Sequence, residues 1–258
     1  MKKLDEDKPV AEPSDFILYI AKERKIPPET IKLPKRLLIT YQRSTYENAK
    51  NLINGKPVDW WIYGDAQPFS VGQFSKVEIG LGKLWIGAPA AVMTLEEIIA
   101  CGAQTVIEVG LAGGLQTYLR PGDMVVVTKA IRDEGTSKHY LPPKIRVESS
   151  ERIRNKLIES LSNKEIKYFS GAVWTTDGVY RETRNKLRRF REAGILAVNM
   201  ETSAIFASAK YRNIEVASVQ VISDILTENG WLQAFGRKSV FEKTEIALKT
   251  AFEALSKS

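Results

Sequence analysis

Apolar positions along this chain change period repeatedly. Alternating or continuous β-branched runs predict strands over 37–40, 105–109, 124–130, 168–175, 197–200 and 217–222. Between them apolar residues recur at helical spacing, which predicts helices over 44–52, 150–162, 182–193 and 240–255. The closing helix carries Leu248, Phe252 and Leu255 on one face. Two further helices open at Pro89, with Val92, Leu95, Ile98 and Ile99 inward, and at Glu201. A hairpin is expected from strands 76–79 and 83–86 about Leu81-Gly82, and a short helix around 16–23. Strands and helices alternate with no second composition regime and no internal repeat, so one α/β domain is expected over 36–258. Residues 1–35, charged and proline-containing, are expected as an extension packed on the body or on a neighbouring subunit.

Several stretches between these elements have the composition of sites. Gly110-Leu111-Ala112-Gly113-Gly114 follows a strand, and its glycines suit either close backbone approach to a ligand or a tight turn. Gly87 to Ala91 joins a strand to a helix start, a natural seat for an anion. Residues 131–140 form a dense polar loop holding His139, the chain's only histidine, where Asp133 and Glu134 also suit ion pairs with Arg132. Trp60, Trp61 and Tyr63 lie in a segment without a clean period, either a packed loop or a cover over a pocket or interface. Glu201 and Asp224 stand at or just beyond the C-terminal ends of two strands, where open α/β sheets place their ligand crevice. Either acid alone suits a helix start or a cap; the pair points to a site.

Composition narrows the function classes. Of 258 residues, 43% are hydrophobic and 27% charged, which is ordinary for a globular enzyme. The net charge of +7 is spread along helices such as 184–191 rather than gathered with aromatics, so a nucleic-acid partner is not expected. The lone Cys101 excludes an internal disulfide, and no His or Cys cluster suggests a metal. The start is too polar for a signal peptide, and no apolar run approaches the ~20 residues of a spanning helix. A cytoplasmic protein without a membrane partner or a bound cofactor is expected.

The ordered set Ile86-Gly87-Ala88-Pro89-Ala90-Ala91, 109–116, Pro121-Gly122-Asp123 and 199–201 through 222–224 resembles the purine nucleoside and uridine phosphorylases and their nucleosidase relatives. The resemblance covers about 36–255. It implies a three-layer α/β/α fold with a mixed, partly barrel-like sheet and cleavage of a nucleoside N-glycosidic bond with phosphate as co-substrate. It also implies a homo-oligomer, a hexamer built from dimers, with active sites near subunit contacts. Breaking the bond builds positive charge on the ribose and negative charge on the base. By resemblance, Glu201 accepts from the ribose hydroxyls, Met200 packs on the sugar, and Asp224, beside Ser223, donates a proton towards N7 of a purine. Val179 stands where a base-stacking phenylalanine is usual, leaving Trp174, Tyr180 or Trp231 to stack.

Uracil recognition in the family uses a glutamine and an arginine, for which this chain has Thr183 and Asn185, so a purine is expected. The phosphate side departs further. Thr40-Tyr41-Gln42-Arg43-Ser44 replaces a Gly-Asp-Pro turn, and Glu108 stands where the family has an arginine. Arg43, Arg132, and the backbone around Gly87 and Gly110 are the candidates left to hold phosphate. A hydrolytic nucleosidase, with Glu108 or Glu134 as general base towards water, and a nucleoside-binding protein without turnover are the alternatives.

Overall fold

The computed structural model describes residues 9–258. In chain order the strands are β1 (Arg36–Thr40), β2 (Lys56–Pro57), β3 (Phe69–Phe74), β4 (Val77–Lys83), β5 (Thr105–Gly114), β6 (Met124–Asp133), β7 (Val147–Glu148), β8 (Phe169–Thr176), β9 (Ala197–Asn199), β10 (Glu215–Thr227) and β11 (Gly230–Gln233). The helices are α1 (Pro13–Glu23), α2 (Arg43–Leu52), α3 (Ala88–Ala100), α4 (Ser137–Tyr140), α5 (Glu151–Ser162), α6 (Arg184–Glu192), α7 (Thr202–Arg212) and α8 (Lys238–Ser256).

The mixed sheet runs β11-β10-β6-β8-β9-β5-β1-β4-β3-β2, and β10 pairs with β5 as well. That extra pairing, parallel from Glu215↔Thr105 to Ile225↔Gly114, closes β10, β6, β8, β9 and β5 into a five-stranded barrel. Closure satisfies the edges an open sheet would expose. One core, with Leu95, Val106, Val127, Ile205 and Phe206, lies under α3 and α7; another, with Ile107, Leu157, Val219, Leu248 and Phe252, lies under α5 and α8. The expected α/β/α layering with a partly barrel-like sheet is therefore the fold. Ile17 and Ala21 of α1 join the first core, while residues 1–8 of the expected extension lie outside the described residues.

Two expectations are corrected. The hairpin turns at Ser75 and Lys76, both with positive φ, and Gly80 and Gly82 sit inside β4. A Cβ at Gly80 would come 3.0 Å from the Phe69 ring, so glycine is there for packing, not for turning. Likewise residues 110–114 continue β5 as strand: a Cβ at Gly110 would meet the Gln220 side chain at 2.5 Å, and one at Gly114 would meet Ile225 at 2.8 Å. These glycines let β10 side chains cross the barrel wall closely.

Candidate active site

A cavity of about 580 Å³ opens where β1, β5, β9 and β10 end, bounded by the starts of α2 and α7 and covered by β11 and α8. Met200, Glu201, Ser223, Asp224, Val179 and Tyr180, six of the residues expected from the sequence, line it together.

Glu201 is positioned by a strand that ends at Asn199 and a helix that starts at Thr202. Its Oε1 accepts from the Gly87 N–H (2.8 Å) and its Oε2 from the Met200 N–H (3.1 Å). Gly87 has φ +99, a conformation that L side chains rarely adopt, and this aims its N–H at the carboxylate. The helix start expected to seat an anion thus holds Glu201 instead. Burial pushes the Glu201 carboxyl up to about 7, aided by the charge of Glu108 and opposed by the two backbone donors.

Asp224 follows an irregularity in β10, where the pairing with β5 shifts between Ile222 and Asp224. A bulge of this kind re-aims a side chain, here into the cavity. Ser223 Oγ donates to Asp224 Oδ1 (2.6 Å) and Trp231 Nε1 to Asp224 Oδ2 (2.6 Å). Glycine at 113 leaves room, since a Cβ there would lie 3.1 Å from Asp224 Oδ2 and 2.8 Å from Leu226.

Sequence reasoning passed over Glu182, Phe235, Phe241 and Tyr41 as lining residues. The Glu182 carboxyl is pushed up to about 7, chiefly by burial and then by the charge of Asp224, with Lys186 opposing. The one signal that could have found it is its place two residues after Tyr180, at the end of the turn that carries Val179 and Tyr180.

Other expected residues stand elsewhere. Trp174 is wholly buried against Phe190 and donates to Asp133 Oδ2 (3.0 Å), so no base can stack on it. Arg43 points outward to Glu47 (2.7 Å) and to the Asp65 carbonyl. The Arg132 guanidinium is taken up by Ser137 Oγ and the carbonyls of Ser137, Leu141, Pro142 and Ile145. Glu134 is buried, accepting from the Ser137 N–H and Ser203 Oγ, both at 2.8 Å, and so ties its loop to α7. Gly110 faces Gln220, and His139 lies by a second cavity beside Glu12, Phe16 and Arg212.

Glu108 is wholly buried behind the cavity wall. Its Oε1 accepts from the Tyr41 hydroxyl (2.6 Å) and its Oε2 from Thr202 Oγ1 (2.7 Å), which in turn accepts from Asn199 Nδ2 (2.5 Å). Burial raises its carboxyl, against the pull of these donors. Tyr41 separates it from the cavity, whose wall on that side is Tyr41, Gln42, Ser44 and Thr45. Among the described residues that line it, three carry carboxylates, Glu182, Glu201 and Asp224, and none is lysine, arginine or histidine. Among the described residues there is no cluster fit for a metal ion and no helix long and apolar enough to cross a membrane.

Known proteins are similar to this chain in sequence and fold. A guanosine phosphorylase of Halorubrum lacusprofundi is 28% identical over 164 residues, covering 64% of this chain and 66% of that protein. A uridine phosphorylase of Treponema pallidum is 27% identical over 196 residues, 71% of this chain and 74% of that one. The crystal structure of a uridine phosphorylase from Vibrio fischeri superposes with a TM-score of 0.79 at 26% identity, covering 88% of this chain and 93% of that chain. A purine nucleoside phosphorylase from Toxoplasma gondii, in complex with immucillin-H, shares the fold with a TM-score of 0.80 at 19% identity, covering 88% and 92%. The model of the phosphorylase superfamily matches residues 45–257. That match runs from the second helix to the end of the last, and the chain belongs to the phosphorylase superfamily.

Proposed function

We propose that this cavity binds a purine nucleoside and cleaves its N-glycosidic bond. The observation that carries the reading is the meeting of Glu201 and the Ser223-Asp224-Trp231 group in one cavity. Glu201, with both oxygens fixed by backbone N–H groups, accepts from the ribose hydroxyls, and Met200 packs on the sugar face. Asp224 accepts from, or passes a proton towards, the imidazole side of the base. Val179, Tyr180 and Trp231 supply the apolar faces for the ring. Thr183 and Asn185, where uracil readers carry glutamine and arginine, favour a purine.

Phosphate is the acceptor expected of the family, and the start of α2, with the Ser44 and Thr45 hydroxyls, is where it would sit. A second reading, water as acceptor, is favoured because none of the described residues lining the cavity is lysine, arginine or histidine. A dianion beside three carboxylates meets repulsion that neutral water does not. Release of base from inosine and guanosine, followed with and without phosphate, separates the readings. Strict phosphate dependence supports phosphorolysis, an unchanged rate supports hydrolysis, and no release with tight binding leaves a nucleoside-binding protein. The reading includes a homo-oligomer, a hexamer, with sites near subunit contacts; a monomer by light scattering at micromolar concentration would sink that part.

A further inference from the structure

We propose that Glu108 and Thr202 are positioning residues for the sugar: through a one-way chain of buried hydrogen bonds they hold the turn that aims Glu201, and so set the preference for a ribonucleoside over its 2′-deoxy form. The inference rests on the nucleoside-cleaving reading above and extends it to two residues that do not line the cavity.

The chain starts at a donor of fixed direction, the Ser203 backbone N–H, which donates to Thr175 Oγ1 (3.0 Å). Thr175 gives its own proton to Asn199 Oδ1 (2.9 Å), and this leaves Asn199 Nδ2 to face Thr202 Oγ1 (2.5 Å). An amide side chain has one accepting and one donating end, so the order of these bonds fixes how Asn199 lies. Thr202 Oγ1 accepts from Asn199, and from Gln220 Nε2 at 3.3 Å, and sends its proton to Glu108 Oε2 (2.7 Å). Tyr41 donates to the other oxygen, Glu108 Oε1, at 2.6 Å. Every link points the same way, and the chain ends on one carboxyl group.

These bonds enclose Glu201. Asn199 ends β9, Thr202 and Ser203 open α7, and β9 lies between β8, which carries Thr175, and β5, which carries Glu108. The turn from Asn199 to Ser203 is thus pinned to both neighbouring strands, on either side of Glu201. Thr175, Thr202, Ser203 and Glu108 are wholly buried and Asn199 is 5% exposed, so the chain is shielded from water, where such bonds strengthen one another. Glu201 itself makes no capping bond to α7, because its carboxylate is turned to the Gly87 and Met200 N–H groups. Its aim therefore depends on how the turn is held.

A carboxylate that accepts from the 2′- and 3′-hydroxyls together must lie in line with both. Once its turn loosens, the two bonds are no longer made at once, and the 2′-hydroxyl adds less to the binding of the transition state. Thr202→Val keeps the outline of the side chain and cuts the chain at its hydroxyl, leaving Asn199 Nδ2 without an acceptor and Glu108 Oε2 without a donor. Glu108→Gln offers one accepting end to two donors, Tyr41 and Thr202, so one hydroxyl must turn away.

The test measures kcat/KM for guanosine and 2′-deoxyguanosine, with phosphate present, in wild type, Thr202→Val, Thr202→Ser, Glu108→Gln, Glu201→Gln and the double variant Glu201→Gln/Thr202→Val. Thr202→Val lowers kcat/KM for guanosine by about tenfold, the size of one charge-assisted hydrogen bond, and that for 2′-deoxyguanosine by less than about threefold. Thr202→Ser, which keeps the hydroxyl, holds the wild-type ratio of the two substrates. Glu108→Gln lowers that ratio by about threefold or more, as partial loss of the same bond implies. With Glu201→Gln already in place, Thr202→Val costs guanosine less than about threefold further, since residues acting through one network do not add. Equal losses on the two sugars, or full additivity in the double variant, would make the chain a packing feature and overturn the proposal. So would a wild-type enzyme without preference between the sugars, and an unchanged ratio in Glu108→Gln would overturn the part given to Glu108. A wild-type protein that cleaves neither nucleoside overturns the functional reading itself, an outcome distinct from the others.

Discussion

The two sides of the cavity are built on opposite principles. On the side of Glu201 and Asp224, all four carboxylate oxygens receive donors at 2.6–3.1 Å, from Gly87, Met200, Ser223 and Trp231. On the side of Tyr41, Gln42, Ser44 and Thr45 the wall is neutral, and the carboxylate behind it, Glu108, is spent on Tyr41 and Thr202. Fixed charge directed into the cavity orients a polar ligand; fixed charge turned inward holds the wall together. On the proposed reading, sugar and base are held by preorganised carboxyl groups, while whatever attacks C1′ meets hydroxyl and amide groups.

The largest expected effect breaks the gripping side. Glu201→Gln removes the charge from two ribose hydrogen bonds and lowers kcat/KM by about 10³-fold, some 4 kcal/mol, at the 1.5–3 kcal/mol typical of charged partners. A loss under tenfold, in a protein with unchanged circular dichroism, would remove Glu201 as the sugar anchor. On the other side, Glu108→Ala leaves the Tyr41 and Thr202 hydroxyls without their acceptor and costs about 3–4 kcal/mol of stability in urea unfolding. Glu108→Gln, which keeps an acceptor, costs far less. If Glu108→Ala instead retained its stability and lost activity only, Glu108 would be a general base and the contrast would fail.

Stability against pH sharpens the gripping side next. The Glu201 carboxyl is raised from 4.5 to about 7, so the folded state binds that proton more tightly than the unfolded chain does. Its contribution is full below about pH 4.5 and is lost as pH rises through about 7, by up to about 3 kcal/mol. Glu182 adds a smaller change of the same sign in the same window, being only partly buried. Thermal unfolding of the ligand-free protein at pH 5 and pH 8 reads this, and Glu201→Gln flattens it; an equal flattening by Glu108→Gln would assign the effect to the wrong wall. Smallest is Trp231→Phe, which keeps an aromatic face and removes one donor to Asp224. It lowers kcat/KM by about tenfold, as loss of one charge-assisted bond implies, and no change would detach Trp231 from the site.

Legibility in the sequence follows the range of the interactions involved. Glu201 and Asp224 were readable because each belongs to a local strand-to-helix or strand-end pattern, and Met200 and Ser223 came with them. Trp174 was misplaced because which face of β8 meets the cavity depends on the Leu187 and Phe190 side chains that cover it. Arg43 and Arg132 were plausible cations by type, yet one is drawn off by Glu47 and the other by its own loop. No strand is expected over 230–233, since the partner of β11, β10, is expected to end at Ile222 but runs on to Thr227.

The alternation of the main strands and helices and the pair of acids at strand ends were legible in the sequence alone, because periodicity and turn chemistry act within a few residues. Closure of the barrel was decided by tertiary structure, through the pairing of β10 with β5 across a hundred residues of chain. So was the protonation of the site: Glu182 and Glu201 are raised by burial under elements distant in sequence, and desolvation is a property of a surrounding volume, which no local stretch contains.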